Sequence, residues 1–341
     1  MIGRRRDFLV EYALRMNSGE KDSGVPEAAP RAAIVGVVGR TNAGKSTIVN
    51  RLVGEKVSIV SPVEQTTRNT IRGIVSDARG QLVLLDTPGL HKAVGPLGRL
   101  LNGMARASSA GTDILCAVFD ASHAPQLEDE GWMARIAKER PEKCVFALNK
   151  CDRSPFYETM FRDLWRESVR RAREIAGSRA EDDPADREPV WVLSCGTKPG
   201  GCDDLLDALF ALAPEGAPLF PDDIVTDYPR KLAIADVVRE KLLQRVYDEV
   251  PHELGVVVSG IREDRRGWDV SVTVYVNRQS QKGIVIGPAG RIMKAVRQSA
   301  EPELSEMFGV KVRLELWVKV EPGWMKNSRL LSEMGYMGGV R

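Results

Sequence analysis

The chain has 341 residues, 43% hydrophobic and 28% charged, with 49 Lys and Arg against 47 Asp and Glu and a formal charge of +2. This is a globular composition, long enough for about two domains, and it excludes an integral membrane protein because no apolar run approaches the ~18 to 20 residues that span a bilayer. The five cysteines, Cys116, Cys144, Cys151, Cys195 and Cys202, are scattered without a C-x-x-C pair or a histidine at ligand spacing, so a reducing cytoplasmic setting is expected and a zinc site is not.

Residues 1–30 open on Arg4, Arg5 and Arg6 and become a polar stretch rich in Gly, Ser, Glu and Pro. Asp7, Glu11 and Arg15 interrupt the apolar segment a signal peptide needs. The remaining readings are a flexible extension, a chain start at Met16, or a membrane-surface helix. An apolar strand is expected over 32–38, followed by Gly39-Arg40-Thr41-Asn42-Ala43-Gly44-Lys45-Ser46-Thr47 and a helix over 46–53. The spacing is G-x-x-x-x-G-K-[ST]: two glycines let backbone N–H groups converge on a triphosphate, Lys45 reaches the β- and γ-phosphates, and the Ser46 hydroxyl sits on Mg²⁺. The helix dipole also favours an anion there.

Residues 56–60 read as a short strand, and 61–69 as a polar loop carrying Thr66 and Thr67, either of which can complete a Mg²⁺ shell when a γ-phosphate is present. Strands over 72–76 and 81–85 lead to Asp86-Thr87-Pro88-Gly89-Leu90. An aspartate at a strand's C-terminal end suits a Mg²⁺ ligand, and Gly89 N–H can face the γ-phosphate. Leu90 stands where many switch GTPases use a glutamine to orient water, so slow basal hydrolysis is expected. A strand over 113–120 and a helix over 126–140 with Trp132, Met133 and Ile136 inward come next. The strand 144–148 then delivers Asn149-Lys150-Cys151-Asp152, the N-K-x-D pattern in which a buried aspartate accepts from guanine N1–H and its exocyclic amine, a pair adenine lacks. A helix over 158–175, a solvated insertion over 178–188, a strand over 191–193 and a helix over 201–212 follow. Backbone N–H groups of Ser194, Cys195 and Gly196 are placed to cap guanine O6, with Cys195 beneath the base. Alternating strands and helices predict a doubly wound, mostly parallel α/β sheet of P-loop NTPase type with all motifs at strand C-terminal ends.

The Pro-rich segment 214–223 marks a linker between a domain over 31–213 and one over 224–325, with a tail at 326–341 that carries exposed apolar residues. In the second domain a helix over 230–246 precedes strands over 256–261 and 268–276 around a charged turn. Then come Lys282, the apolar Ile284-Val285-Ile286, the G-x-x-G loop Gly287-Pro288-Ala289-Gly290, and a helix beginning Arg291-Ile292-Met293-Lys294. Residues 278–297 hold five basic side chains and no acidic one. Two glycines let a nucleic-acid backbone approach, and residues 284–286 offer a floor for unstacked bases. With the closing strand over 311–320 this order suits a small α+β KH module, with RNA contacts expected at Lys282, Ile286, Gly287, Pro288, Ala289, Gly290, Arg291 and Lys294.

These motifs, together with Gln65-Thr66-Thr67-Arg68, Asp86-Thr87-Pro88-Gly89-Leu90-His91, Arg239-Glu240-Lys241-Leu242 and Leu314-Glu315-Leu316-Trp317-Val318-Lys319-Val320, resemble the Era family of bacterial GTPases over residues 32–336. The resemblance implies a GTPase (G) domain using GTP/GDP and Mg²⁺, then a type II KH domain that binds small-subunit ribosomal RNA near its 3′ end and assists 30S maturation. It also implies peripheral contact with the inner face of the cytoplasmic membrane; no stable protein partner is expected. By position Thr67 resembles the switch threonine and Leu90 the hydrophobic replacement of the catalytic glutamine. The expected catalytic set is therefore Lys45, Thr67 and Gly89, and the expected Mg²⁺ set Ser46, Thr67 and Asp86. Departures from the family pattern are Thr41 and Ala43, expected on the loop's outer side, Cys195-Gly196 in the base pocket, and Pro288-Ala289 without the basic residue common inside the G-x-x-G loop. Rival readings are a membrane-associated signalling GTPase and a GTPase coupled to RNA modification.

Overall fold

The computed structural model describes residues 29–60, 68–88, 103, 111–176, 188–247 and 250–336. In the first domain β1 (Arg31–Val38), β3 (Gly80–Asp86), β4 (Ile114–Asp120), β5 (Cys144–Asn149) and β6 (Val190–Ser194) are parallel, and β2 (Ile71–Asp77) pairs antiparallel with β3. The order among the described residues is β2-β3-β1-β4-β5-β6, so the chain reverses its direction of growth at β1, between β3 and β4. A parallel sheet is covered on both faces, and its strands are correspondingly apolar throughout; β4 is buried at every position. One face packs on α1 (Lys45–Val53) and α4 (Asp203–Leu212) through Val35, Leu84, Val118, Ile48 and Leu205. The other packs on α2 (Leu127–Glu139) and α3 (Glu158–Ala176) through Phe119, Phe146, Trp132, Met133 and Phe161.

The run 56–60 forms no strand. Its backbone is hydrogen-bonded from outside a sheet: Asn50 Oδ1 accepts from the N–H groups of Val57 and Ser58, and Asn50 Nδ2 donates to Ser58 O. Lys56 and Val60 point instead to the second domain.

That domain has the order α5 (Arg230–Leu243), β7 (Gly255–Asp264), β8 (Gly267–Val276), α6 (Gln279–Ile286), α7 (Arg291–Phe308), β9 (Val312–Val320). Strands β7 and β8 are antiparallel, β8 and β9 parallel, in the order β7-β8-β9, the type II KH arrangement. Helices α5 and α7 pack on one face through Val238, Val296 and Leu304 against Val256, Val272 and Val274. The segment 324–336 does not leave its apolar side chains exposed. Trp324, Leu330, Leu331, Met334 and Tyr336 are buried on Val257 beside Tyr275. The short helix in this segment, α8 (Ser328–Glu333), is capped by Asn327, whose side chain accepts from Arg329 and Leu330 N–H.

Contacts between the domains are polar, and those of Arg68 and Asn69 are buried. Arg68, 1% exposed, donates to the carbonyl oxygens of Leu254 at 2.8 Å and His252 at 3.2 Å and reaches Tyr336 Oη at 3.4 Å. Asn69 Nδ2 donates to Tyr228 Oη at 2.7 Å and Met334 O at 3.0 Å. Lys56 Nζ lies 2.7 Å from Glu240 on α5 and 2.6 Å from Glu303 on α7, and Val60 N–H donates to the same Glu240 carboxylate. Residues 61–67 are thus flanked on both sides by contacts to the second domain. Thr66, Thr67, Gly89, Leu90 and His91 fall outside the described residues, as do 1–28, 177–187 and 337–341.

Candidate nucleotide and RNA sites

The phosphate loop runs from the end of β1 into α1. Gly44 has φ +101°, and a Cβ there would stand 2.1 Å from Asn149 Nδ2, so glycine is what lets the loop touch the N-K-x-D segment. The contact is made: Asn149 Nδ2 donates to Ala43 O at 2.9 Å, and Lys150 Nζ donates to Asn42 O at 2.9 Å. The two motifs, 106 residues apart, form one surface. Ala43 is buried in the core beneath the loop, not on its outer side; a larger residue would press on that packing. Thr41 is half-buried, Asn42 exposed, and Ser46 and Thr47 half-buried at the first turn of α1.

Lys45 is buried, and its ammonium donates to Gly39 O at 3.1 Å and Arg40 O at 2.8 Å. Burial pulls its pKa down to about 8, with Asp86 opposing and Arg40 adding to the shift. Asp86 ends β3 fully buried, and neither carboxylate oxygen has a hydrogen-bond partner. Burial raises its pKa, while the nearby Ser46 hydroxyl and Lys45 ammonium work the other way. A buried carboxylate without a full set of hydrogen bonds is costly, and its place next to the Ser46 hydroxyl at an anion-binding helix start offers the few hard oxygen donors that Mg²⁺ takes when phosphates and water complete its shell. Thr87 donates to Val37 O at 2.9 Å, which fixes the turn after Asp86, and Pro88 is buried next to it.

Two acids that spacing did not single out hold the loop from behind. Arg40 pairs with Asp120 at 3.2 Å and with Asp129 at 3.2 Å, and Asp120 also takes Lys150 at 2.7 Å. Burial alone would raise the Asp120 carboxyl, but hydrogen bonds from Lys150 and Ser122 and the charges of Lys150 and Arg40 outweigh it and hold it low. Burial pushes Asp129 up to about 6. The available signal was Asp120 at the C-terminal end of an apolar strand; Asp129 lies on a helix and carries no motif. Arg40 is thereby committed to these acids, at the back of the loop.

At the base pocket Asp152 is exposed, not buried, so its selectivity depends on a bound base covering it. Cys195 Sγ donates to Asp152 Oδ1 at 3.1 Å, and this hydrogen bond holds the carboxyl below its usual range. The expected O6 cap is already engaged: Cys195 N–H donates to Gly201 O at 2.6 Å and Gly196 N–H to Asn149 Oδ1 at 3.2 Å. Ser194 is buried at the end of β6, and Cys151 is exposed with its N–H on Ser194 O at 3.2 Å.

The second candidate site is the turn between α6 and α7. Gly287 has φ +72°, and a Cβ there would meet Ile292 Cγ1 at 2.7 Å. Pro288 and Ala289 are exposed at the tip, with Ala289 itself at φ 51°, and α7 starts directly after Gly290. Arg291 and Lys294 are exposed, and Lys282 and Ile286 half-buried. The apolar floor is smaller than its sequence suggests: residues 284–286 are helical, Val285 is 0% exposed in the core, and Ile284 is 48% exposed.

Residues 34–150 match the family described as 50S ribosome-binding GTPase, and residues 249–325 match the KH domain family. GTPase Era of Geobacter sp. (strain M21) is 37% identical over 307 residues, spanning 90% of this chain and 98% of that protein. GTPase Era of Rippkaea orientalis is 35% identical over 306 residues, 90% and 92% of the two chains. Among solved structures, an Aquifex aeolicus Era variant bound to GDP·AlF₄⁻ superposes with a TM-score of 0.77 at 30% identity, covering 90% of this chain and 99% of that one. Era in complex with MgGDPNP and nucleotides 1506–1542 of 16S ribosomal RNA has a TM-score of 0.77 at 29% identity with the same coverage. Phosphate loop, guanine-type N-K-x-D segment and G-x-x-G turn therefore sit in one chain aligned almost end to end with these relatives, and the chain belongs to the GTPase Era family.

Proposed function

We propose that the chain is a Mg²⁺-dependent, slowly hydrolysing GTP switch that binds small-subunit ribosomal RNA near its 3′ end and assists maturation of the 30S subunit. The observation that carries the reading is the welding of the phosphate loop to the N-K-x-D segment through Asn149 and Lys150, in a chain that also presents an exposed G-x-x-G turn. Lys45 stabilises charge on the β,γ-bridge and γ-phosphoryl group as water attacks. Backbone N–H groups of Asn42 to Thr47 and the start of α1 hold the phosphates, and Asp152 reads guanine. Ser46, Asp86 and Thr67 would hold Mg²⁺, which neutralises developing phosphate charge when bound. Gly89 N–H is assigned to the γ-phosphate, and Leu90 leaves the attacking water without a side-chain amide to orient it.

In the same reading residues 31–213 are the G domain, 214–223 the linker and 224–325 the KH domain, between an extension at 1–30 and a tail at 326–341. RNA is held by Lys282, Ile286, the Gly287 to Gly290 turn, Arg291 and Lys294, with phosphates against the glycines and the start of α7. The contacts of Lys56, Val60, Arg68 and Asn69 support coupling, in which nucleotide state changes the posture of the KH domain. No helix of the described residues is long and apolar enough to cross a membrane. The proposed workplace is the cytoplasm, on the assembling subunit, with any contact to the inner membrane face peripheral.

The test is crosslinking and sequencing of bound RNA in cells, comparing the native chain with a Pro288→Asp/Ala289→Asp variant. Enrichment of the small-subunit rRNA 3′ region that falls at least about tenfold in the variant is expected, since two carboxylates would face the RNA backbone. Random RNA, or a pattern unchanged in the variant, would overturn the RNA assignment. Binding of the full chain to anionic vesicles would then favour membrane signalling.

A further inference from the structure

The guanine pocket of this chain is built differently from what its spacing predicts. The N–H of Cys195 donates to Gly201 O at 2.6 Å and that of Gly196 to Asn149 Oδ1 at 3.2 Å, so both are engaged within the pocket wall. Selection of the base then rests on Asp152, and Asp152 is exposed. A carboxylate standing in water turns freely about its side-chain bonds, and binding has to stop that rotation.

Among the described residues one side chain holds Asp152: the Cys195 thiol, 3.1 Å from Oδ1. An ionised carboxylate only accepts, so the proton of this bond is the thiol's, and the Thr197 hydroxyl, 3.4 Å from the same sulfur, donates to it in turn. Ser194 does not share the task, since its hydroxyl is buried without a hydrogen-bond partner. The bond from the thiol is the largest of the effects that hold the Asp152 carboxyl below its usual range, ahead of the charges of Lys198 and Arg153.

The sulfur is fixed by the way its loop is closed. Cys195 is 4% exposed. Two turns fold residues 195–201 back on themselves: Lys198 N–H donates to Cys195 O and Gly201 N–H to Lys198 O, each at 3.1 Å. Glycine is needed at 201, where a Cβ would stand 2.3 Å from Cys195 O. Arg51 of α1 ties the loop to the phosphate side by donating to Gly196 O and Thr197 O, both at 3.1 Å. The thiol is thereby presented to Asp152 from a pinned backbone.

We propose that Cys195 is a positioning residue for base selection: its thiol holds Asp152, before nucleotide arrives, in the orientation that accepts guanine N1–H and the exocyclic amine together. The proposal rests on the reading above in which Asp152 recognises guanine. Two parallel hydrogen bonds require the carboxylate to lie in the plane of the base, whereas a single bond to N1–H tolerates a range of orientations. Loss of the thiol should therefore weaken guanine more than a base without the amine. Cys195 is also a position where the chain departs from the family pattern, which makes this hold on the aspartate specific to the chain.

Affinities of the full-length protein for GDP and for inosine diphosphate, which is GDP without the exocyclic amine, are measured by calorimetry with Mg²⁺. Cys195→Ala is expected to weaken GDP about five- to tenfold and inosine diphosphate less than about twofold, so the preference between them narrows. Cys195→Ser keeps a donor in the same place and is expected to restore the preference to within about twofold of native. Equal losses for both nucleotides, or a serine variant no better than alanine, would mean that the thiol only packs in the pocket wall and would overturn the proposal. Unchanged GDP affinity in Cys195→Ala, with Asp152→Asn still losing its preference for guanine, would also overturn it and leave the reading of Asp152 standing. If Asp152→Asn retains that preference, the base-reading assignment fails and the positioning role falls with it.

Discussion

Lys45→Ala is expected to lower kcat/KM for GTP by about 10² to 10³-fold, the usual consequence of removing one donor aimed at developing charge. The same change should leave the ligand-free protein at least as stable as the native chain. The reason is the burial of the ammonium, which holds its pKa at about 8 while the unfolded chain keeps the ordinary value of 10.5. Between those two values the unfolded state binds more protons, so native stability rises with pH across this interval. The rise is on the order of a few kcal/mol and should be missing in Lys45→Ala. Thermal unfolding of both proteins from about pH 7 to pH 10, without nucleotide, checks it; parallel curves would refute the account of Lys45. A triphosphate in the loop supplies the countercharge and should remove most of the native pH dependence.

The second large effect concerns the base. Asp152→Asn replaces two acceptors by one acceptor and one donor, which suits xanthine, whose 2-oxo group stands where guanine has an amine. GTP affinity is expected to fall by about 10² to 10³-fold while xanthosine triphosphate becomes the preferred ligand. Competition between the two triphosphates for the variant measures this directly. Retained preference for GTP would mean that Asp152 does not read the base edge. In the variant, Cys195 Sγ can still donate to the amide carbonyl that takes the place of Asp152 Oδ1, so the pocket's own hydrogen bond is kept.

Much of this site was legible because phosphate chemistry imposes spacing on contiguous residues. Residues 39–47 and 149–152 could be placed by pattern, and the strands that carry them by continuous apolar runs. Properties set by tertiary neighbours could not. The run 56–60 has the composition of a strand, yet Asn50 and Glu240 take backbone N–H groups of it outside any ladder. Val285 looked available to a ligand because a G-x-x-G pattern says nothing about which side of the preceding helix meets the sheet; it is core. The N–H groups after Ser194 looked free because Gly201, whose carbonyl engages one of them, sits six residues on from Cys195, across two consecutive turns that meet at Lys198. Asp129 was invisible for a similar reason: its partner, Arg40, is 89 residues away, and no local pattern links a helix residue to a phosphate loop.

The carbonyl cage around Arg68 bears on what can be exchanged between relatives. Its guanidinium belongs by sequence to the nucleotide-binding half, but its acceptors at Leu254 and His252 belong to the RNA-binding half. A chimera joined at the Pro-rich linker would separate donor from acceptors unless both parents present the same backbone there, and would bury a charge without its partners. The transferable unit is therefore not the contiguous domain. A functional graft of the RNA-binding half has to carry residues 56–60 and 68–69 with it, so divergence of the two halves is constrained jointly at that seam.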